Sequence, residues 1–265
     1  MTDWQAVLDA DLTVPDTAPL LELVAELSTD LASPDPVRRD RHAYTILATW
    51  IKRGVLDEAA LRALGEEQAA RFSDERIQAR TFAPLILAAI VERGVHDERW
   101  RDAFVAWYPA ETDLRGHDPS LGWLHAIAHG ADLLGVFGMS PHVEPGEMLE
   151  TAAFRLIAPT EHVWRDQEDD RLAFALGRIL TRPDVSETVA VGWLDPIASL
   201  FAAGTPGPVP PHVSNALRTL RALYLLADRG VRPKWSSGEP VPLVHRDALT
   251  SRLADVVSGP APFTG

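Results

Sequence analysis

The chain has 265 residues, 46% of them hydrophobic and 24% charged, which is enough apolar material to bury a sizeable core and far from the composition of disordered segments. A formal net charge of −13, from 38 Asp and Glu against 25 Lys and Arg scattered without a basic run, repels phosphate backbones and argues against nucleic acid as a partner. With no cysteine, the sequence excludes disulfides, thiolate metal sites and cysteine nucleophiles, so any metal would be held by His and carboxylate.

The start, Met1-Thr2-Asp3-Trp4, lacks the basic and apolar pattern of a signal peptide, and no apolar run approaches the roughly 18 residues of a membrane span. A cytoplasmic protein without a membrane partner is expected.

In chain order, the helical periodicity predicts first helices over 18–31, 57–71, 97–107, 146–157 and 187–203, each followed by a second helix over 37–53, 76–93, 119–134, 167–181 and 212–229. The ending Lys52-Arg53-Gly54-Val55 recurs as Glu92-Arg93-Gly94-Val95 and Asp228-Arg229-Gly230-Val231. Arg in a last turn complements the negative end of the helix dipole, Gly takes the left-handed position beyond it, and Val packs back on the helix. Leu134-Gly135-Val136 reads as a fourth stop and Arg182-Pro183-Asp184-Val185 as a degenerate fifth. The spacing of about 40 to 47 residues is that of HEAT and armadillo repeats. The expected fold is therefore all-α, a single right-handed solenoid domain over 1–265 with about five helix pairs and a concave face centred on the third. Strand-like alternation and Asn-Gly hairpin signals are missing. Pro and Gly gather between helices, at 33–36, 141–146 and 204–211. The 204–211 stretch is too close to the C-terminus to leave an independent core behind it. Residues 232–265 are expected to form a loop through Arg232-Pro233-Lys234-Trp235, a capping helix near 245–257 and a frayed tail.

One cluster breaks the apolar register. Glu111-Thr112-Asp113-Leu114-Arg115-Gly116 leads into Gly122-Trp123-Leu124-His125 and His129-Gly130-Ala131-Asp132. On a helix, His125, His129 and Asp132 share one face, an arrangement able to meet zinc or a non-haem iron. Counted back from the stops, the same positions in the other second helices are largely apolar or small: Tyr44, Pro84, Ala173 and Leu220 correspond to His125. Buried polar groups need partners, and Glu111, Asp113 and Arg115 are the nearest in sequence. Three readings follow from the residues. The first is a closed structural network; the second is a metal site of His125, His129 and Asp132 with Glu111 or Asp113 as base and Arg115 holding an anion; the third is a metal-free ligand pocket. Trp123 would wall such a pocket. Glu168, in Asp166-Gln167-Glu168-Asp169-Asp170-Arg171, is a further ligand or base candidate, although acidic residues at a helix N-terminus are explained by the dipole alone. No G-x-S-x-G, Walker A, G-x-G-x-x-G or H-E-x-x-H element is present.

The E-x-D-x-R-G element at Glu111–Gly116 and the G-W-x-H-A-x-A-H-x-A-D element at Gly122–Asp132 resemble a bacterial family known only as domain of unknown function 2785. The likeness extends to Arg39-Asp40, Arg80-Thr81-Phe82 and Glu168-Asp169-Asp170-Arg171. It implies that the two central motifs belong together and names no activity. The expected function is a small-ligand or protein-binding scaffold, with a metal-dependent hydrolase as the alternative.

Overall fold

A computed structural model describes residues 2–205, 207–232 and 237–261. The chain is mostly helical, and among the described residues the only sheet is a two-stranded hairpin. It divides into two compact units. The first comprises the chain through Trp107 together with Arg115–Leu133; the second comprises Tyr108–Leu114 and the chain from Leu134 onward. The division does not fall at the proline-rich 204–211 stretch.

The first unit begins with α1 (Trp4–Asp9) and α2 (Leu20–Asp30). A π-helical segment, Val37–Tyr44, then runs directly into α3 (Thr45–Arg53). After them come α4 (Glu58–Ala70), α5 (Ile77–Glu92), α6 (Glu98–Trp107), the strands β1 (His117–Asp118) and β2 (Gly122–Trp123), and the start of α7 (Ala126–Met139). Packing follows sequence neighbours: α4 lies against α5 and α6, and α3 against α5. The core holds Trp50, Trp100, Ile46, Phe82 and Phe104, all at most 2% exposed. The ends are set locally. The Asp57 carboxylate accepts the Ala60 N–H at 2.8 Å to open α4. Gly54 closes α3 at φ +73°, where a Cβ would be strained; its N–H bonds the Ile51 carbonyl and that of Val55 the Trp50 carbonyl, both at 3.0 Å. Gly94 follows α5 at φ +86°, and Gly230 closes α12 at φ +79° but with ψ 167°, an extended positive-φ conformation different from that of Gly54.

The second unit contains α8 (Pro145–Ile157), α9 (Glu168–Ile179), α10 (Glu187–Gly192), α11 (Asp195–Ala202), α12 (Pro211–Arg229) and α13 (Arg246–Ser258). The long α12 packs on α8, α9 and α13. Its inner face, with Leu217, Leu220, Leu223 and Ala227, joins Leu172, Leu176, Leu249 and Leu253 in the core.

Three expectations are corrected. The helix expected over 119–134 begins only at Ala126 and runs on to Met139, because Asp118-Pro119-Ser120 and Gly122 form a hairpin turn in its place. Gly135 is therefore no stop. It lies inside α7, where an added Cβ would sit 3.2 Å from the Ala175 Cβ, so this glycine serves close packing. The helix expected over 187–203 is broken between Gly192 and Asp195, with Pro196 in the first turn of α11. The capping helix near 245–257 is α13, whereas Pro233–Ser236 of the preceding loop and the tail after Ala261 lie outside the described residues.

Candidate functional site

The hairpin is built by its own turn residues and held from beneath by one buried arginine. The Asp118 carboxylate accepts the N–H groups of Ser120 (2.8 Å) and Leu121 (3.0 Å) and pairs with Arg115 at 2.7 Å. Gly122 sits at φ +71°, and a Cβ there would press on Pro36 at 3.0 Å, so both conformation and space require glycine. Arg39, wholly buried in the π-helical segment, donates from Nη2 to the carbonyls of Leu121 (2.8 Å) and Trp123 (3.1 Å), and from Nη1 to that of Ser33 (3.1 Å). Its Nε meets Asp40 at 2.7 Å and its guanidinium lies over the Phe82 ring, 4.8 Å from the centroid. Burial raises the Asp40 carboxyl above its ordinary range, against the opposing pull of Arg39.

Beyond the hairpin, the Leu124 N–H returns to the Gly116 carbonyl (2.8 Å) and the His125 N–H to the Arg115 carbonyl (3.1 Å). These bonds hold His125 in a left-handed conformation, φ +49°, a state that costs a non-glycine residue roughly 1–2 kcal/mol. His125 thus precedes α7, its carbonyl accepting the His129 N–H at 2.9 Å. The alignment expected for His125, His129 and Asp132 on one helical face does not form, because the first of the three is not helical. Among the described residues their ligand atoms do not gather into one metal-sized cluster. Asp132 is half-buried.

What forms instead is a row of rings. The His117 ring lies edge-on to Trp123, its partner across the hairpin, with centroids 4.8 Å apart. Trp123 tilts over His125 at 4.3 Å, His125 stands perpendicular to His129 at 5.7 Å, and His129 meets Phe82 at 5.1 Å. The row descends from Trp123, 42% exposed, to His125 and His129, 9% and 6% exposed. His129 Nδ1 lies 2.9 Å from the Thr81 carbonyl. A carbonyl only accepts, so Nδ1 carries the proton of the neutral ring and Nε2 is its basic nitrogen. Pro84, inside α5, lacks the N–H that would bond the carbonyl of Arg80, the residue next to Thr81, whose carbonyl His129 meets.

The family description of a protein of unknown function (DUF2785) matches residues 67–225, well over half of the sequence, and both central motifs lie inside that match. The chain belongs to the DUF2785 family. No curated protein and no solved structure matches it.

The remaining candidates of this DUF2785 chain are placed as follows. Arg115 lies on the first unit, half-exposed and paired with Asp118. Glu111, Asp113 and Glu168 belong to the second unit. Glu111 is buried, and its Oε1 accepts the N–H groups of Thr112 and Asp113, each at 2.9 Å, so it caps its own turn. The Glu111 carbonyl accepts from the buried Arg155 at 2.8 Å, as does the Tyr108 carbonyl at 3.2 Å. Glu168 is fully buried at the start of α9, after Gln167 at φ +64°, and its Oε2 accepts the Asp166 N–H at 2.8 Å. Burial raises the Glu168 carboxyl above its usual range.

Sequence reasoning missed Arg39 as the hairpin's clamp, and it missed Thr81 and Arg155. Thr81 and the acceptors of Arg155 act through backbone carbonyls, for which no residue type is a signal. The turn itself was signalled by Pro119 and Gly122. One pH response follows from this geometry. The N–H groups of Ser120 and Leu121, with Arg115 beyond them, hold the Asp118 carboxyl below its ordinary 3.8. A depressed carboxyl contributes stability above its unfolded pKa and loses it as the pH falls through the folded one. The hairpin is therefore expected to persist at pH 5 and to loosen as the pH falls below about 4, read from the amide resonances of Ser120 and Leu121. In Asp118→Asn that pH-dependent loosening should vanish.

Proposed function

We propose that this protein binds a small ligand at the ring row of its first unit, with Trp123 at the solvent side and His125 and His129 as the polar groups at its base. The observation that carries this reading is His125, a buried histidine kept in a strained left-handed conformation directly beneath an exposed tryptophan. Strain of this kind persists where surrounding structure over-determines it, and it concentrates at binding sites. His129 adds a ring whose orientation and basic nitrogen are set by the Thr81 carbonyl. A planar group with a hydrogen-bonding edge suits such a surface, because it can lie against indole while the imidazoles meet its polar atoms. The helix pairs, with the glycine stop used at 54, 94 and 230, support a HEAT-like repeat as the scaffold.

A metal-dependent hydrolase is the second reading. It is favoured by the Nδ1 bond of His129, the support that metal-bound imidazoles receive. It is not favoured by the place of His125, which precedes α7 and so lies off the helical face that carries His129 and Asp132.

Titration with heteroaromatic carboxylate and carboxamide fragments, followed by NMR of the indole and imidazole protons, tests the proposal. Bound fragments should shift Trp123, His117 and His125 together, and Trp123→Ala should weaken them at least about tenfold, equivalent to about 1.4 kcal/mol, without loss of helicity. If no fragment moves these resonances, or Trp123→Ala binds them equally well, the binding site is not here. Stoichiometric zinc retained through purification and released together with stability by EDTA would favour the hydrolase reading.

A further inference from the structure

The outward face of α12 is the part of the second unit that its own packing leaves unexplained. Leu217, Leu220, Leu223 and Ala227 turn into the core, while Arg221, Tyr224, Leu225, Asp228 and Arg229 are exposed. Counted from Arg221, the others stand three, four, seven and eight residues on, so all five share one side of the helix. Tyr224 and Leu225 are 45% and 50% exposed. A single exposed leucine is ordinary, but an exposed aromatic beside it, framed at both ends by arginine, has the composition that interface cores favour. The helix beneath is held by α8, α9 and α13, so this face is already ordered and a partner would gain it at little entropic cost.

Its charge runs against that of the chain. The sequence carries a net −13, yet this face is basic. Asp228, the acid among the five, is paired with Arg246 at 2.8 Å. Arg218, one turn earlier, is committed to Asp169 and to the Trp164 carbonyl. Among the described residues, neither Arg221 nor Arg229 forms an ion pair. Arg229 stands in the last turn, where the helix dipole accounts for a cation; Arg221 lies mid-helix and has no such explanation.

We propose that the outward face of α12 docks an acidic amphipathic helix of a partner protein, whose apolar side covers Tyr224 and Leu225 and whose carboxylates meet Arg221 and Arg229. From Arg221 to Arg229 the face runs about 12 Å at 1.5 Å per residue, the length of about two turns of a helix laid along it. Arginine at both ends suits carboxylates, which its planar fork binds in pairs. An anionic bilayer is the poorer occupant, because it extends past the face and meets the surplus of carboxylates that the rest of the chain carries. A peptide meets the face alone, and salt screens wider repulsion beyond about 8 Å.

The probe is a synthetic, fluorescein-labelled peptide of about four helical turns, with Leu at alternating third and fourth positions and Glu at most others. Titrated with the full chain and followed by fluorescence anisotropy, it should bind with a Kd of about 100 μM or tighter, and more weakly as salt is raised. Leu225→Asp should weaken it at least about tenfold, as should the double variant Arg221→Glu with Arg229→Glu, both with unchanged far-ultraviolet circular dichroism. The same peptide with Gln in place of Glu should lose at least about tenfold in affinity. Absence of binding at about 1 mM chain overturns the proposal. So does equal binding by either variant or by the Gln peptide. Sedimentation of the unaltered chain with phosphatidylserine vesicles, lost in the double arginine variant while the peptide fails to bind, would assign the face to a membrane instead and overturn it as well.

Discussion

Replacing Arg39 with alanine is expected to destabilise the first unit by about 3–5 kcal/mol, the cost of removing one partner from a buried, hydrogen-bonded charge network. The guanidinium is wholly buried and serves four acceptors at once: the carbonyls of Ser33, Leu121 and Trp123 and the carboxylate of Asp40. Truncation leaves those three carbonyls without this donor and leaves Asp40, already disfavoured as an anion by its burial, without its compensating charge. The cation over Phe82 is lost as well. Lysine cannot substitute, because one ammonium on a flexible stem does not reproduce a planar fork that bonds the Leu121 and Trp123 carbonyls, the Ser33 carbonyl and the Asp40 carboxylate together. Urea unfolding followed by far-ultraviolet circular dichroism should therefore place Arg39→Lys near Arg39→Ala and far from the unaltered chain. A loss within about 0.5 kcal/mol for Arg39→Ala, the level of an ordinary surface substitution, would mean that the clamp is not what holds the hairpin.

The second large effect reverses an ordinary rule. Alanine in place of glycine within a helix normally stabilises by about 1 kcal/mol. Gly65, in α4, is an exception, since a Cβ there would fall 2.3 Å from Cζ2 and 2.4 Å from Cη2 of Trp100. Trp100 is 1% exposed and has no space into which to retreat. Gly65→Ala is accordingly expected to destabilise by about 1–3 kcal/mol in spite of its better propensity. Gly192→Ala, with nothing within 4 Å of the added carbon, is the matched control and should be neutral or slightly stabilising. Equal behaviour of the two variants would show that α4 and α6 can separate at little cost.

Much of the helical layout is legible in the residues because its signals are local. Gly54, Gly94 and Gly230 stop helices through a backbone conformation that the residue type alone permits, and Asp57 opens α4 with its own carboxylate. Gly135 was misread for an equally physical reason. A glycine can end a helix or admit a neighbour, and only the Ala175 methyl on another helix distinguishes the two uses. The register counted back from Gly135 therefore had no stop beneath it, yet it pointed to His125 and His129, which are both buried. The histidines stand out because imidazoles amid small and apolar residues need partners wherever the helix begins. Their spacing misled, since Asp118, Pro119 and Gly122 form a turn that delays α7 and leaves His125 outside it. Arg39 was beyond reach in a different way. Arginine is ordinarily a surface residue, and this one bonds carbonyls 82 and 84 positions away, so nothing near it in the chain declares its role.

That separation has a consequence for how the family should be delimited. The family match begins at residue 67, beyond α2, the π-helical segment and α3. A fragment cut to 67–225 would carry the hairpin, both central motifs and every ring from Phe82 to Trp123, but not the guanidinium beneath them. The stretch that looks self-sufficient by kinship is thus incomplete as a folding unit. The ring row rests on a clamp whose two ends lie 82 and 84 positions apart, so the chain from Arg39 to Trp123 has to be present for the row to be held as described.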